Sequence, residues 1–255
     1  MPFVLPTELS WPLLSVIAIT VTFAYLLFGA IGFGSSILSV PIFAHFLPLT
    51  FVVPMITAID CGAITTATLR QWRHVDWREF RRLLVPLLAG IAIGLTLLIR
   101  LPRGAALLAL GVFVAGYAAH TLYGARGWRA IRPVWAIPLG IVGGVFSALF
   151  GTGGPIYMVY LSSRIGDKTA LRATSSMVIA LSVVIRALAF VFSGMFLQQG
   201  LLLLVGFLLP LMLVGYALGS RLHARLSAAA VRRWIAWLLL INGIVLVARA
   251  VDVLY

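Results

Sequence analysis

Apolar residues run almost unbroken along most of the chain, and polar residues gather in short intervals between the runs. Set against the ~20 residues a helix needs to cross a bilayer, the pattern gives candidate segments at about 11–31, 36–47, 50–70, 82–100, 105–123, 133–150, 155–163, 172–194, 200–220 and 234–250. Two of these, 36–47 and 155–163, are too short for ordinary spans. Each follows a glycine-rich interruption: Gly32-Phe33-Gly34-Ser35-Ser36 before the first and Gly151-Thr152-Gly153-Gly154-Pro155 before the second. The pattern predicts an all-α polytopic membrane protein.

Composition agrees. Of 255 residues, 62% are hydrophobic and 10% are charged, against roughly 25% charged in a soluble domain. The net charge of +13 invites a nucleic-acid reading, but fifteen of the nineteen Lys and Arg lie in four short intervals, Arg70 to Arg82, Arg126 to Arg132, Arg164 to Arg172 and Arg221 to Arg233. Basic clusters between apolar spans are the positive-inside signal, so no nucleic-acid partner is expected. Lone Cys61 rules out an internal disulfide. Glu8, with no basic residue ahead of the first apolar run, argues against a secretory signal peptide.

The arginines also decide how the short segments run. If each interrupted segment crossed once, the four clusters would divide seven against eight between the two sides. If each turns back as a hairpin, all four share one side, leaving Arg100, Arg103 and Arg249 opposite and Arg186 within the membrane. The hairpin reading follows, with basic loops cytoplasmic and both termini periplasmic. Each half then holds five embedded segments, an odd number, so the second half enters upside down. This predicts two inverted-topology repeats, residues 1–125 and 126–255, each opening with a glycine-interrupted helical hairpin. Gly32-Phe33-Gly34-Ser35 aligns with Gly151-Thr152-Gly153-Gly154 at an offset of 119, and the stretch from Gly94 aligns with that from Gly219 at an offset of 125. Inverted repeats with matched helix interruptions are an architecture of secondary transporters, the interruptions lying at the substrate site.

Irregular backbone survives at membrane depth only where protein or a cavity surrounds it. A half-helix starting after a glycine turn offers free N–H groups and a positive dipole end, which suits an anion. Ser35, Ser36 and Thr152 add hydroxyls, and Pro155 fits a first helical turn. Elsewhere Gly29, Gly90, Gly94, Gly143, Gly215 and Gly219 read as close-packing positions. Asp60 and Arg186 stand well inside spans, where ionisable residues are rare and face a cavity or each other. Thr57, Asp60, Thr65 and Thr68 share one side of the first helix, and Ser175, Ser182, Arg186 and Ser193 share one side of its counterpart. Arg186 is suited to attract an anion, with Asp60 carrying a coupling proton or holding Arg186; a structural ion pair is the alternative. Trp72, Trp77, Trp128 and Trp135 read as interfacial residues, and His45 and His120 as packing residues rather than metal ligands. No enzyme motif and no Walker-type phosphate loop appears, so neither catalysis nor ATP-driven work is expected, and no cofactor or metal is implied.

The segments GAIGFGSSILSVPIF, GVFSALFGTGGPIYMVYL and LRATSSMVIALSVVIRAL, in that order and spacing, resemble the sulfite exporter TauE/SafE family. Gly32, Gly34, Ser35 and Pro41 match its first signature, and Gly151, Gly153, Gly154 and Pro155 its second. Ser35 and Ser36 stand where a richer glycine run is common, which adds donors and narrows the pocket. The resemblance implies a bacterial inner-membrane permease for small anions such as sulfite, a sulfonate such as sulfoacetate, or a related organic anion. The expectation is a secondary transporter working by alternating access. The anion would meet the amides after both breaks, the hydroxyls of Ser35, Ser36, Thr152, Ser175 and Ser176, and the charge of Arg186. A proton or sodium ion would be coupled, and assembly as a homo-oligomer is compatible. An uncoupled anion channel is the runner-up and a non-transporting assembly factor the third reading. Saturable counterflow separates transporter from channel, and an assembly factor would tolerate substitution of Asp60 and Arg186.

Overall fold

The computed structural model describes residues 11–31, 34–68, 72–123, 131–222 and 228–254. Among them the regular structure is helical throughout, in ten α-helices: α1 (Trp11–Ile31), α2 (Ser35–Phe43), α3 (Leu49–Thr68), α4 (Trp77–Arg100), α5 (Arg103–Tyr123), α6 (Ala136–Phe150), α7 (Gly154–Arg164), α8 (Lys168–Phe192), α9 (Leu201–Leu222) and α10 (Ala228–Leu254). Seven stretches are long and apolar enough to cross a membrane: those in α1, α4, α5, α8, α9 and α10, and the segment Pro133–Phe150 that contains α6. Exposed Leu, Ile, Val and Phe side chains on these helices, such as Phe192, Leu203 and Ile241, form the apolar outer surface a bilayer requires.

Helices α4 and α8 begin four or five residues before the apolar runs that announced them. In each an aspartate outside the run starts the helix. Asp76 accepts from the backbone N–H groups of Arg78 and Glu79, and Asp167 accepts from that of Ala170. Hydropathy marks the embedded part of a helix, whereas the cap marks its start.

The two short helices turn back rather than cross. Arg164, at the end of α7, donates to the carbonyl of Ile131 just before α6 and reaches Glu79 near the start of α4 at 3.3 Å. Tyr160 of α7 also donates to Glu79, at 2.6 Å, and the Asp76 amide donates to Thr174 of α8 at 2.8 Å. Residues around 76–82, 131–135 and 164–174 therefore meet at one end of the molecule, the arginine-rich end, where Trp72, Trp77 and Trp135 are exposed. At the opposite end Arg249 of α10 donates to the carbonyl of His45 at 2.8 Å, and Gln198 donates to that of Thr50 at 3.0 Å. Arg70, Arg126, Arg129, Arg225 and Trp128 lie outside the described residues, and for Thr65 and Thr68, within α3, no side chain is described.

Glycines set the closest helix contacts. A Cβ on Gly90 or Gly94 of α4 would strike the carbonyls of Ile141 or Val145 on α6; one on Gly215 or Gly219 of α9 would strike those of Thr22 or Leu26 on α1. Shifting Thr22 and Leu26 by 119, and Gly90 and Gly94 by 125, turns one pair of contacts into the other. The remaining packing behaves alike: α1 lies on α9 as α6 lies on α4, α3 meets α9 as α8 meets α4, and α3 crosses α8 while α5 pairs with α10. This exchange of partners is compatible with the inverted repeat that the arginine positions predict. Because an added methyl meets rigid backbone, Gly94→Ala and Gly219→Ala are expected to destabilise the protein by about 1–3 kcal/mol through overpacking. Gly116→Ala and Gly206→Ala, whose added Cβ meets nothing within 4 Å, are expected to leave stability unchanged or raised; thermal unfolding in detergent compares the four.

Candidate functional site

Both helix breaks face the centre of the molecule. Gly34 ends the first at φ 108° and Gly151 opens the second at φ 71°, a left-handed region that glycine enters without a Cβ clash. A Cβ on Gly151 would stand 2.8 Å from that of Ser36 and 3.2 Å from Nη1 of Arg186, so the two breaks touch across the guanidinium. Helices α2 and α7 begin here with no side-chain cap, in contrast to the aspartate-capped α4 and α8. The Ser35, Ser36 and Ile37 amides of α2 have no carbonyl partner in the preceding turn; in α7 Pro155 carries no N–H and Ile156 donates to the Gly153 carbonyl at 3.1 Å, which leaves the Gly154 amide.

Arg186 and Asp60 project into this junction from α8 and α3 and are buried, as are Ser35, Ser36, Ser147, Thr152 and Ser182. Arg186 donates from Nη1 to the Ser147 carbonyl at 2.8 Å and from Nε to the Ser182 carbonyl at 3.4 Å. The Ser147 carbonyl also takes the Gly151 N–H, so the guanidinium sits at the carbonyl end of α6, the negative end of its dipole. Asp60 is placed conversely. It accepts from Tyr25 at 2.6 Å, Ser35 at 3.0 Å and Ser36 at 3.2 Å, at the amide end of α2. The two charges face each other with Arg186 Nη2 at 4.0 Å from Asp60 Oδ2, beyond hydrogen-bond reach. Opposite charges at that separation attract by about 4 kcal/mol at an effective dielectric of 20.

A cavity of about 30 Å³ lies between the breaks, lined by Gly34 to Ile37, Asp60, Gly151, Thr152, Gly154, Pro155 and Arg186, together with Ser147, Tyr157 and Ser182. On that scale roughly 10–15 Å³ admits one water, so the cavity is small. Two of its lining hydroxyls are poorly met: Thr152 Oγ1 is buried without a hydrogen-bond partner, and Tyr157 Oη lies beside the Ser147 and Ser182 hydroxyls without a well-formed hydrogen bond. Native interiors seldom leave such groups unmet, and both belong to the second break and its helix.

Of the residues singled out in the sequence, Gly34, Ser35, Ser36, Gly151, Thr152, Gly153, Gly154, Pro155, Asp60 and Arg186 gather here, Gly153 packing on the Tyr157 ring beneath the break. Three lie elsewhere: Thr57 donates to its own helix at Val53, Ser175 to the Met158 sulfur, and Ser176 is outside the cavity lining. Gly32 falls outside the described residues. Sequence reasoning missed Tyr25, Ser147 and Tyr157. Ser147 pairs closely with Ser182, and the Tyr157 ring fills the space left open at Gly143 and Gly153. The available signal was their position: Tyr25 and Ser147 are hydroxyls a few residues ahead of each break, and Tyr157 follows Pro155 by two.

A family model for the sulfite exporter TauE/SafE matches residues 17–246. The chain belongs to the TauE/SafE family. It is therefore a membrane transporter of the sulfite and sulfonate exporter type. Among curated proteins it is 30% identical over 179 residues to the probable inner membrane transporter protein TsaS of Comamonas testosteroni, covering 68% of this chain and 73% of that one. No solved structure matches. In this TauE/SafE protein the matched residues include both breaks and Arg186.

Removing one member of a buried ion pair strands the other, typically at a cost of about 3–5 kcal/mol. Arg186→Gln and Asp60→Asn are thus each expected to lower stability in detergent, and the double variant to lower it by less than the sum of the two. Strict additivity in thermal unfolding would show that the residues are not coupled.

Proposed function

We propose that the protein is a secondary transporter of a small anion, such as sulfite or a sulfonate, acting in the bacterial inner membrane. One observation carries this reading: a buried guanidinium stands between two uncapped helix starts, beside the unpartnered Thr152 hydroxyl and the poorly bonded Tyr157 hydroxyl. An oxyanion supplies several acceptors to one centre. It would take Arg186 Nη2, the amides after Gly34 and Gly153, and the Thr152 and Tyr157 hydroxyls. The name of the relative supports a transporter of the inner membrane.

The narrowness of the site supports a carrier over a channel. Its polar side chains are buried, and the cavity is too small for an organic sulfonate without helix movement. A site this narrow has to widen to take such a substrate, as alternating access requires. The halves 1–125 and 126–255, taken as inverted repeats, give a natural way to open it to either side, because α2 and α7 enter from opposite ends. The positive-inside bias supports an orientation with the arginine-rich end cytoplasmic and both termini periplasmic.

Binding of radiolabelled sulfite to purified protein, with competition by sulfonates, carboxylates, cations and neutral solutes, tests the reading. Sulfite or a sulfonate is expected to compete best, and preference for a cation or neutral solute would refute the proposal. Thr152→Ala and Tyr157→Phe each remove one hydrogen-bond donor worth about 1.5–3 kcal/mol to a charged group. Each is expected to weaken binding by roughly 10-fold or more with unfolding temperature little changed. Full affinity in both variants would move the site elsewhere.

A further inference from the structure

We propose that Asp60 is a proton site, loaded one-for-one with a monoanion at Arg186, so that the protein is an electroneutral proton–anion symporter. The inference rests on the anion reading above and adds the coupling ion and its stoichiometry.

It begins from charge. The ionised side chains lining the cavity are Asp60 and Arg186, which together are neutral. A monoanion entering alone would leave a net negative charge out of water, which burial penalises. It would also stand beside the Asp60 carboxylate, because Arg186 Nη2 is 4.0 Å from Asp60 Oδ2 and the cavity includes both. One proton on Asp60 removes the repulsion and restores neutrality.

Asp60 is surrounded by groups that fit both of its forms. Tyr25, Ser35 and Ser36 donate to the carboxylate, and a hydroxyl that donates to a carboxylate can rotate to accept from a carboxylic acid. An ammonium or a backbone amide could not reverse in this way. Ser36, which donates to the Oδ2 that faces Arg186, lies in the first turn of α2, so a proton on Oδ2 turns this hydroxyl from donor to acceptor and frees its own proton at one of the breaks that would hold the anion. It equally releases Nη2 of Arg186 from its facing charge. Proton binding and anion binding thereby favour one another through the same side chains.

The arrangement favours a proton over sodium. A metal cation at Asp60 would sit next to the Arg186 guanidinium, whose charge already fills the cationic position opposite the carboxylate. The titratable or charged groups facing Asp60 are Tyr25 from α1 and Arg186 from α8, with Cys61 adjacent on α3 and Tyr157 of α7 beside Arg186. From α9 the contacts at neighbouring Gly62 are the apolar Met212 and Leu209.

The test uses the full-length protein in liposomes with labelled sulfite and labelled ethanesulfonate, the latter a monoanion at every pH used. Counterflow at equal pH on both sides comes first. If neither probe exchanges, the anion reading itself fails, and the coupling proposal with it. Given exchange, an imposed pH gradient is expected to drive several-fold accumulation of ethanesulfonate. A potassium-diffusion potential or a sodium gradient is expected to leave accumulation unchanged. A pH dye should register one proton moved per anion. Asp60→Asn, compared with wild type per folded molecule, is expected to lose the pH-driven accumulation, and the anion flux that it retains is expected to respond to the potential. Wild-type accumulation that follows sodium or the potential and ignores the pH gradient would overturn the proposal, whatever the variant does. So would a variant still concentrating anion on a pH gradient as well as wild type.

Discussion

A guanidinium kept out of water has to be met by oxygen, and the centre of this molecule is arranged around that requirement. Arg186 takes the carbonyls of Ser147 and Ser182 and faces the carboxylate of Asp60. The Ser147 carbonyl lies in the last turn of α6, so the helix must stop there for its carbonyl end to meet the charge. Gly151 stops it. On the other side, Asp60 is held by hydroxyls at the first turn of α2, so that helix must start there. Gly34 starts it. The two breaks are thus not independent irregularities. Each presents the end of a helix dipole that suits the charge beside it.

The rest of the fold holds those ends in place. Long helices pack in pairs through glycines whose backbones nearly touch, α4 with α6 and α9 with α1, leaving the short α2 and α7 to reach the centre from opposite ends. Each short helix is tied at its outer end. Arg164 and Tyr160 fasten α7 to Glu79 of α4, and His45, in the turn after α2, is fastened by Arg249 of α10.

Much of this was legible in the sequence because membrane solvation leaves few choices. An apolar run of about twenty residues has to span, a short one after glycines has to turn back, and basic loops collect on one side. Those constraints gave the ten helices, the hairpins, the close-packing glycines, and the meeting of Asp60 and Arg186. Other features depend on rotation about a helix axis, which composition does not encode. Thr57 shares a side with Asp60 on paper but bonds its own helix at Val53. Ser175 and Ser176 stand about three turns before Arg186, too far along α8 to reach the cavity. Tyr25 and Tyr157 were passed over because tyrosine in an apolar run reads as interface or core. Their hydroxyls matter only once the breaks converge. The early starts of α4 and α8 were hidden for a simpler reason: Asp76 and Asp167 lie in polar segments that hydropathy discards.

The central claim is that the two breaks and Arg186 together hold an oxyanion. A structure determined with selenite, the heavier analogue of sulfite, tests it most directly, since selenium can be located by its anomalous scattering. The account predicts a single ordered selenium between Gly34–Ser36 and Gly151–Thr152, with oxygens within hydrogen-bond distance of Arg186 and of the Thr152 or Tyr157 hydroxyl. Selenium bound elsewhere, for instance in the apolar recess beside Arg103 at the opposite end, with the central cavity unchanged, would contradict it.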